Sequence, residues 1–163
     1  GGSVRIYARH TADNKEPVTS RAIELKQREI DAGVNQMRTY LLFGEKARIT
    51  KHRILLFLIQ LKNQGFNIAG YGAPGKGNTL LNYCGIRTDI LDYTVDLNPY
   101  KQGKYTPGTH IPILSPEKIR ETKPDYIFIL PWNLKDEITN QLSYVREWGC
   151  KFITAIPEPT VID

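Results

Sequence analysis

Cysteine is scarce in this chain, and what there is does not pair. Cys84 and Cys150 are the only two, far apart and outside any Cys-x2-Cys spacing. A disulfide framework and a thiolate metal site are both excluded on that count, and two reduced core cysteines in a cytoplasmic chain are expected. Long apolar runs are also missing. The longest, residues 54–59, is a third of what a bilayer-crossing helix of roughly 20 residues needs, and no signal peptide is visible, so no membrane partner is expected. No aromatic-and-basic nucleic-acid motif occurs. The net charge of +5 is spread along the sequence, which suits a small acidic ligand as well as RNA and decides little. The three histidines, His10, His52 and His110, are scattered; each is expected to be solvated or structural rather than a ligand. An initiating methionine is absent as well, and the chain is expected to be a piece of something larger.

What is present is ordinary globular material: 40% hydrophobic and 24% charged residues, enough in 163 residues for one domain over 1–163 with a sizeable core. Residues 67–81, NIAGYGAPGKGNTLL, carry its most specific pattern. A short apolar run, Ile68 to Tyr71, predicts a buried strand. Gly70, Gly72 and Gly75 form a G-x-G-x-x-G arrangement, followed by Ala73 within it and by Lys76, Gly77 and Asn78 after it; Leu80 and Leu81 continue as a helix. Strand, glycine turn and helix start come in the order a phosphate-cradling loop requires, because glycines let the backbone approach an anion and helix-start amides point at it. The loop is not a nucleotide-triphosphatase loop: Gly77 stands where the magnesium-binding Ser or Thr belongs, and the later strand at 125–130 runs into Pro131-Trp132 without a carboxylate. An acid about twenty positions on, Asp96, keeps a nicotinamide-binding domain open. A bare strand-to-helix turn in a non-catalytic interaction module is the plainer alternative.

Along the chain, residues 4–8 alternate as a half-buried strand and residues 10–17 are a polar loop. A helix follows from Thr19 or Ser20 to about Ala32, ended by Gly33. Residues 35–64 are helical, with Gly44 as a possible break and residues 54–61 apolar nearly all round and so buried. After the glycine loop the helix stops at Gly85. Residues 92–96 form the next strand, broken at its carboxyl end by Asn98-Pro99. The loop 100–112 carries Lys101, Lys104, Tyr105 and His110. Its lysines and tyrosine fit a phosphate clamp or a base platform, and fit an ordinary exposed loop equally well. Ser115-Pro116-Glu117 opens a short helix to about Thr122. Residues 125–130 are a fully buried strand, 134–148 a helix ended by Gly149, and 151–156 the last strand. Alternating strands and helices make the fold α/β with a mainly parallel sheet.

The motifs GYGAPGKGNTLLNYCGI and DYTVDLNPYKQGKYTPGTHIPI together resemble the C-terminal domain of S-adenosylmethionine-dependent sugar C-methyltransferases, over nearly the whole chain from Gly1-Gly2-Ser3 to the final strand. The resemblance implies a Rossmann-like domain with helices on both faces of the sheet. It implies upstream domains outside this sequence: a zinc-binding N-terminal module and a middle domain that binds S-adenosylmethionine. A Glu-His pair serving the proton chemistry would stand just ahead of the Gly-Gly-Ser run. No catalytic residue, metal or cofactor is then expected in this stretch, which would be inactive alone. Its implied task is to anchor the nucleotide diphosphate of a thymidine- or uridine-linked keto-deoxysugar. On that reading Gly70, Gly72, Ala73, Gly75, Lys76, Gly77 and Asn78 meet the diphosphate. Asp96 and Asn98 meet the ribose or base, and Lys104 and Tyr105 the base or phosphate.

Overall fold

A computed structural model describes residues 4–13 and 17–163. The Gly-Gly-Ser run at 1–3 and residues 14–16 of the expected polar loop lie outside the described residues. The chain divides into two compact units, Gly1–Ala47 and Arg48–Asp163.

In the first unit, α1 (Ser20–Asp31) is a twelve-residue helix with Thr19 at its N-cap position, although the Thr19 side chain makes no capping bond. Gly33 follows with φ +69°, the left-handed stop expected of it. No strand forms over residues 4–8, and Tyr7 is 84% exposed. Alternation only states that one face is suited to burial; without a paired neighbour an isolated extended segment leaves its backbone to water. The helix α2 (Met37–Asn63) is continuous past Gly44, which softens it by about 1 kcal/mol relative to alanine without interrupting it.

The second unit is built on one seven-stranded sheet in the order β3-β4-β2-β1-β5-β6-β7. Its centre is β1 (Ile68–Tyr71), a four-residue strand buried throughout. To one side β1 pairs in parallel with β2 (Thr94–Val95), and β2 with β4 (Pro112–Leu114). To the other side it pairs in parallel with β5 (Tyr126–Ile129), and β5 with β6 (Lys151–Thr154). The edges are antiparallel: β3 (Lys104–Tyr105) against β4, and β7 (Thr160–Ile162) against β6. The expected α/β architecture with a mainly parallel sheet is what forms.

Both sheet faces are covered. Ile54, Leu58 and Leu61 of α2, Leu81 and Cys84 of α3 (Gly75–Cys84), and Phe128 and Ile153 of the sheet form one core. Ile119 of α4 (Glu117–Thr122) and Ile138 of α5 (Lys135–Gln141), with Ile127, Ile129 and Phe152 from the sheet, form the other. Successive residues of β5 point to opposite cores, Ile127 and Ile129 one way and Phe128 the other, which is why this strand is apolar without alternation. Cys84 and Cys150 are both buried and unpaired, and burial pushes the Cys150 thiol up to about 12.

Several boundaries differ from the sequence reading. The stretch 54–61 buries one face only: Ile54, Leu58 and Leu61 are buried, while Leu56 and Ile59 are exposed. The expected helix at 134–148 is broken into a 3-10 turn at Trp132–Leu134, the short α5, and a second 3-10 stretch at Ser143–Trp148. Ile138 reaches the core from α5, Val145 from the 3-10 stretch and Leu142 from the junction between them, so their spacing does not tell a tight helix from an α-helix. Three strands come from segments not read as strand, β3, β4 and β7, with Pro112 at the first residue of β4. A two- or three-residue strand is too short to display periodicity, and Pro159 ahead of β7 sits where a sheet tolerates it.

Candidate functional site

The parallel strands all end at one edge, and the chain leaves β1 and β5 there in opposite directions: β1 leads through α3 towards β2, whereas β6 lies beyond β5. A crevice opens between two loops at such a reversal, and ligands of open α/β sheets bind there. Here the loops are residues 72–74 after β1 and residues 130–133 after β5.

The first loop is held in shape by β2 and the residues after it. Gly72 takes φ +85°, and a side chain there would meet the Pro131 ring at 2.8 Å. Its N–H donates to the Val95 carbonyl at 2.6 Å, and its carbonyl accepts from Thr94 Oγ1 at 2.8 Å. Ala73 N–H donates to Asp96 Oδ2 at 2.7 Å, while the Ala73 carbonyl accepts from Lys101 Nζ at 3.1 Å. Lys101 Nζ also reaches Asp96 Oδ2 at 2.9 Å. The Asp96–Lys101 pair therefore grips Ala73 by both of its backbone polar groups. Asn98 N–H completes the set by donating to Asp96 Oδ1 at 2.9 Å. Burial alone would raise the Asp96 carboxyl, but the donors from Asn98, Lys101 and Ala73 outweigh it and hold the group below the usual carboxylate range.

The helix α3 starts at Gly75, immediately after Pro74, several residues ahead of the apolar pattern that signalled it. Asn78 N–H bonds back to the Pro74 carbonyl. The amides of Gly75, Lys76 and Gly77 are the first-turn donors that no helix can satisfy internally. Above Gly75 the space is open, with nothing within 4 Å of a Cβ built there. Gly77 faces the other way and is buried; its Cβ would stand 2.9 Å from Leu130 Cβ, so glycine lets α3 settle on the end of β5. Lys76 crosses the crevice. Its ammonium hydrogen-bonds Asn133 Oδ1 and lies 4.5 Å from the centre of the Trp132 ring. A buried side-chain oxygen, Asn78 Oδ1, has no hydrogen-bond partner among the described residues.

The residues singled out in the sequence thus divide. Gly75, Lys76, Gly77 and Asn78 stand on the first turn of α3 at the crevice. Gly70 lies within β1, where a Cβ would meet Thr94 Oγ1 at 2.7 Å, while Gly72 and Ala73 shape the turn and their amides are spent inside the protein. Asp96 is 9% exposed and works as the brace of the loop, and Asn98 Oδ1 accepts from Tyr100 N–H at 3.0 Å. Lys104 and Tyr105 sit on the edge strand β3, three strands from β1, roughly 14 Å at the usual strand spacing. Tyr105 pairs with Pro112 at the start of β4, pointing the strand away from the carboxyl edge. Lys101, one of the two loop lysines that fit a phosphate clamp in the sequence, instead has its ammonium on Asp96 and the Ala73 carbonyl; sequence reasoning passed over Trp132 and Asn133 as partners of Lys76. The signal for the last two was available, since they directly follow the buried strand β5 and must lie beside the glycine loop in a parallel sheet. His110 lies in an exposed turn with φ +57°. No group of three or more His, Cys, Asp or Glu residues gathers to hold a metal among the described residues. No helix among them is long and apolar enough to cross a membrane.

A family described as "C-methyltransferase C-terminal domain" matches residues 1–157. The C-methyltransferase NovU of Streptomyces niveus is 36% identical over 162 residues, covering 99% of this chain and 38% of that protein. The chain therefore spans less than two-fifths of the length of that curated relative. Among solved structures, the UDP-D-quinovosamine 4-dehydrogenase from Vibrio fischeri aligns with a TM-score of 0.41 at 20% identity, over 57% of this chain and 79% of that one.

Proposed function

Since the chain belongs to the family of C-methyltransferase C-terminal domains, we propose that it anchors the substrate of such an enzyme, gripping a nucleoside diphosphate at the first turn of α3. The substrate would be a thymidine- or uridine-diphosphate-linked keto-deoxysugar, methylated at a ring carbon with S-adenosylmethionine as donor. The reaction asks for removal of a proton beside the sugar ketone and attack of the resulting enolate on the sulfonium methyl group. Two bound molecules must therefore be held in a fixed approach. Deprotonation and donor binding are assigned to the rest of the protein, as is any zinc. This domain supplies the fixed end of the sugar nucleotide.

The observation that carries this reading is Lys76. Its ammonium lies across the β1–β5 crevice, beside the unsatisfied first-turn amides of α3 and the open space above Gly75. Those amides carry the positive end of the helix dipole, and an anion is the ligand they favour. A lysine ammonium is equally unsuited to a sulfonium cation, so the donor is not expected in this loop.

The test is an amide-resolved NMR titration of the chain with uridine and thymidine diphosphates. Shifts are expected to concentrate over residues 75–78 and to shrink with salt. One lysine at a partly exposed phosphate site adds about 1–2 kcal/mol, so Lys76→Ala is expected to weaken binding roughly five- to thirtyfold. Largest shifts elsewhere, or a Lys76→Ala variant that binds as well as the parent, would overturn the assignment. The chain alone is expected to give no turnover of a nucleotide-linked keto-sugar with S-adenosylmethionine; measurable product would refute that.

A further inference from the structure

We propose that the groove along the outer face of α3, between Tyr83 and Trp132, is the subsite that takes the planar base of the nucleotide; this rests on the glycine-loop reading above. The groove is shallow and largely open to solvent, with a volume of about 290 Å³, and is lined by Lys76, Thr79, Leu80, Tyr83 and Trp132. Positions 76, 79, 80 and 83 share one helix face, and the seven-residue step from Lys76 to Tyr83 spans about 10 Å at the α-helical rise. The groove therefore begins at the ammonium assigned to the diphosphate and runs away from it over about the length of a nucleoside.

Its chemistry suits a flat ring rather than a second phosphate. Trp132, Tyr83 and Leu80 present carbon surface, and the side-chain polar groups are the Lys76 ammonium, the Thr79 and Tyr83 hydroxyls and the Trp132 ring N–H. Thr79 Oγ1 donates to the Gly75 carbonyl at 3.1 Å, which leaves its lone pairs free to accept from a base N–H. A cation stands over each aromatic ring, Lys76 4.5 Å from the Trp132 centroid and Lys51 of α2 5.2 Å from that of Tyr83. The Lys76 ammonium marks the end assigned to the diphosphate, and a base would stack on the ring faces that the two ammonium groups leave open. Aromatic platforms beside a basic group bind bases of any sequence, because every base has a π-face.

The other positions considered for the base are occupied or remote. The Asp96 oxygens accept from Ala73, Asn98 and Lys101, and Asn98 Oδ1 accepts from Tyr100 N–H. Lys104 and Tyr105 are on the far edge of the sheet. The groove is contiguous with the crevice and needs no rearrangement of the loop to be used.

The experiment titrates the chain and its variants with uridine diphosphate and, separately, with pyrophosphate, following affinity by NMR. Trp132→Ala is expected to weaken uridine diphosphate about five- to hundredfold, the range of a lost base–aromatic stack. It should leave pyrophosphate within twofold, while Trp132→Phe retains most of the affinity for both. Tyr83→Ala, at an exposed position, should act in the same direction without endangering the fold, which circular dichroism checks for every variant. Two results overturn the subsite. One is unchanged uridine diphosphate affinity in both aromatic variants alongside a Lys76→Ala variant weakened for both ligands; the glycine loop then stands and the groove serves another group. The other is equal weakening of both ligands by Trp132→Ala, which would make Trp132 a support for Lys76 only. If neither ligand shifts residues 75–78, the glycine-loop reading fails and the subsite with it.

Discussion

Replacing Asp96 by asparagine tests whether that acid braces the glycine turn, as its geometry says. Asparagine keeps the shape of the side chain but offers one carbonyl oxygen in place of two charged ones. Whichever way it turns, its NH2 group faces either Asn98 N–H or the pair formed by Ala73 N–H and Lys101 Nζ, donor against donor. At least one charge-assisted hydrogen bond is lost, worth about 1.5–3 kcal/mol. The Lys101 ion pair, partly open to solvent, adds about 1 kcal/mol at most. The expected cost at pH 7 is about 2–4 kcal/mol, a substantial part of the 5–15 kcal/mol typical of a domain. Its dependence on pH has a definite sign. The Asp96 carboxyl is held below its ordinary value in the folded chain, so its contribution is complete above the unfolded value and is lost as pH falls through the folded one. Urea unfolding of parent and variant should therefore show a constant gap from pH 7 to about 4.5 that narrows below about pH 4. A gap under about 1 kcal/mol, or one that persists unchanged into acid, would refute the brace.

The two helix-start glycines should respond oppositely to alanine. Gly75→Ala fills open space on the first turn of α3, so stability should rise by up to about 1 kcal/mol while diphosphate binding falls; a variant that binds normally would place the ligand elsewhere. Gly77→Ala forces a methyl group against Leu130 and should cost about 1–3 kcal/mol, measured by chemical denaturation. An unfolding curve that matches the parent would show that α3 is free to lift off β5. Burial raises both thiols, that of Cys150 to about 12, so neither cysteine should alkylate with iodoacetamide at pH 8 until the chain is denatured. Mass spectrometry of native and unfolded samples distinguishes the two cases.

The parts of this protein legible in its sequence are those where one local pattern has one structural solution. Ile68 to Tyr71 is apolar, short and followed by glycines, and becomes the central buried strand. Gly33, Gly85 and Gly149 stop helices because φ near +70° to +80° is open to glycine and costly to other residues. The glycine turn and the lysine after it were equally visible, since both depend on neighbours in the chain. Other features depend on what arrives from a distance. The alternation at residues 4–8 found no strand partner, while Lys104–Tyr105 found one that its two residues could not announce. Asp96 has the spacing of a ribose-binding acid, yet the turn after β2 returns Lys101 to it, and the carboxylate is engaged in holding Ala73. Trp132 and Asn133 meet Lys76 only because β1 and β5 are parallel neighbours, a pairing between residues more than fifty positions apart. Local sequence sets backbone conformation and helix ends, where the energies are those of adjacent residues. Which charged and aromatic groups share a crevice is decided by strand order, and strand order is settled by how two cores close over both faces of one sheet.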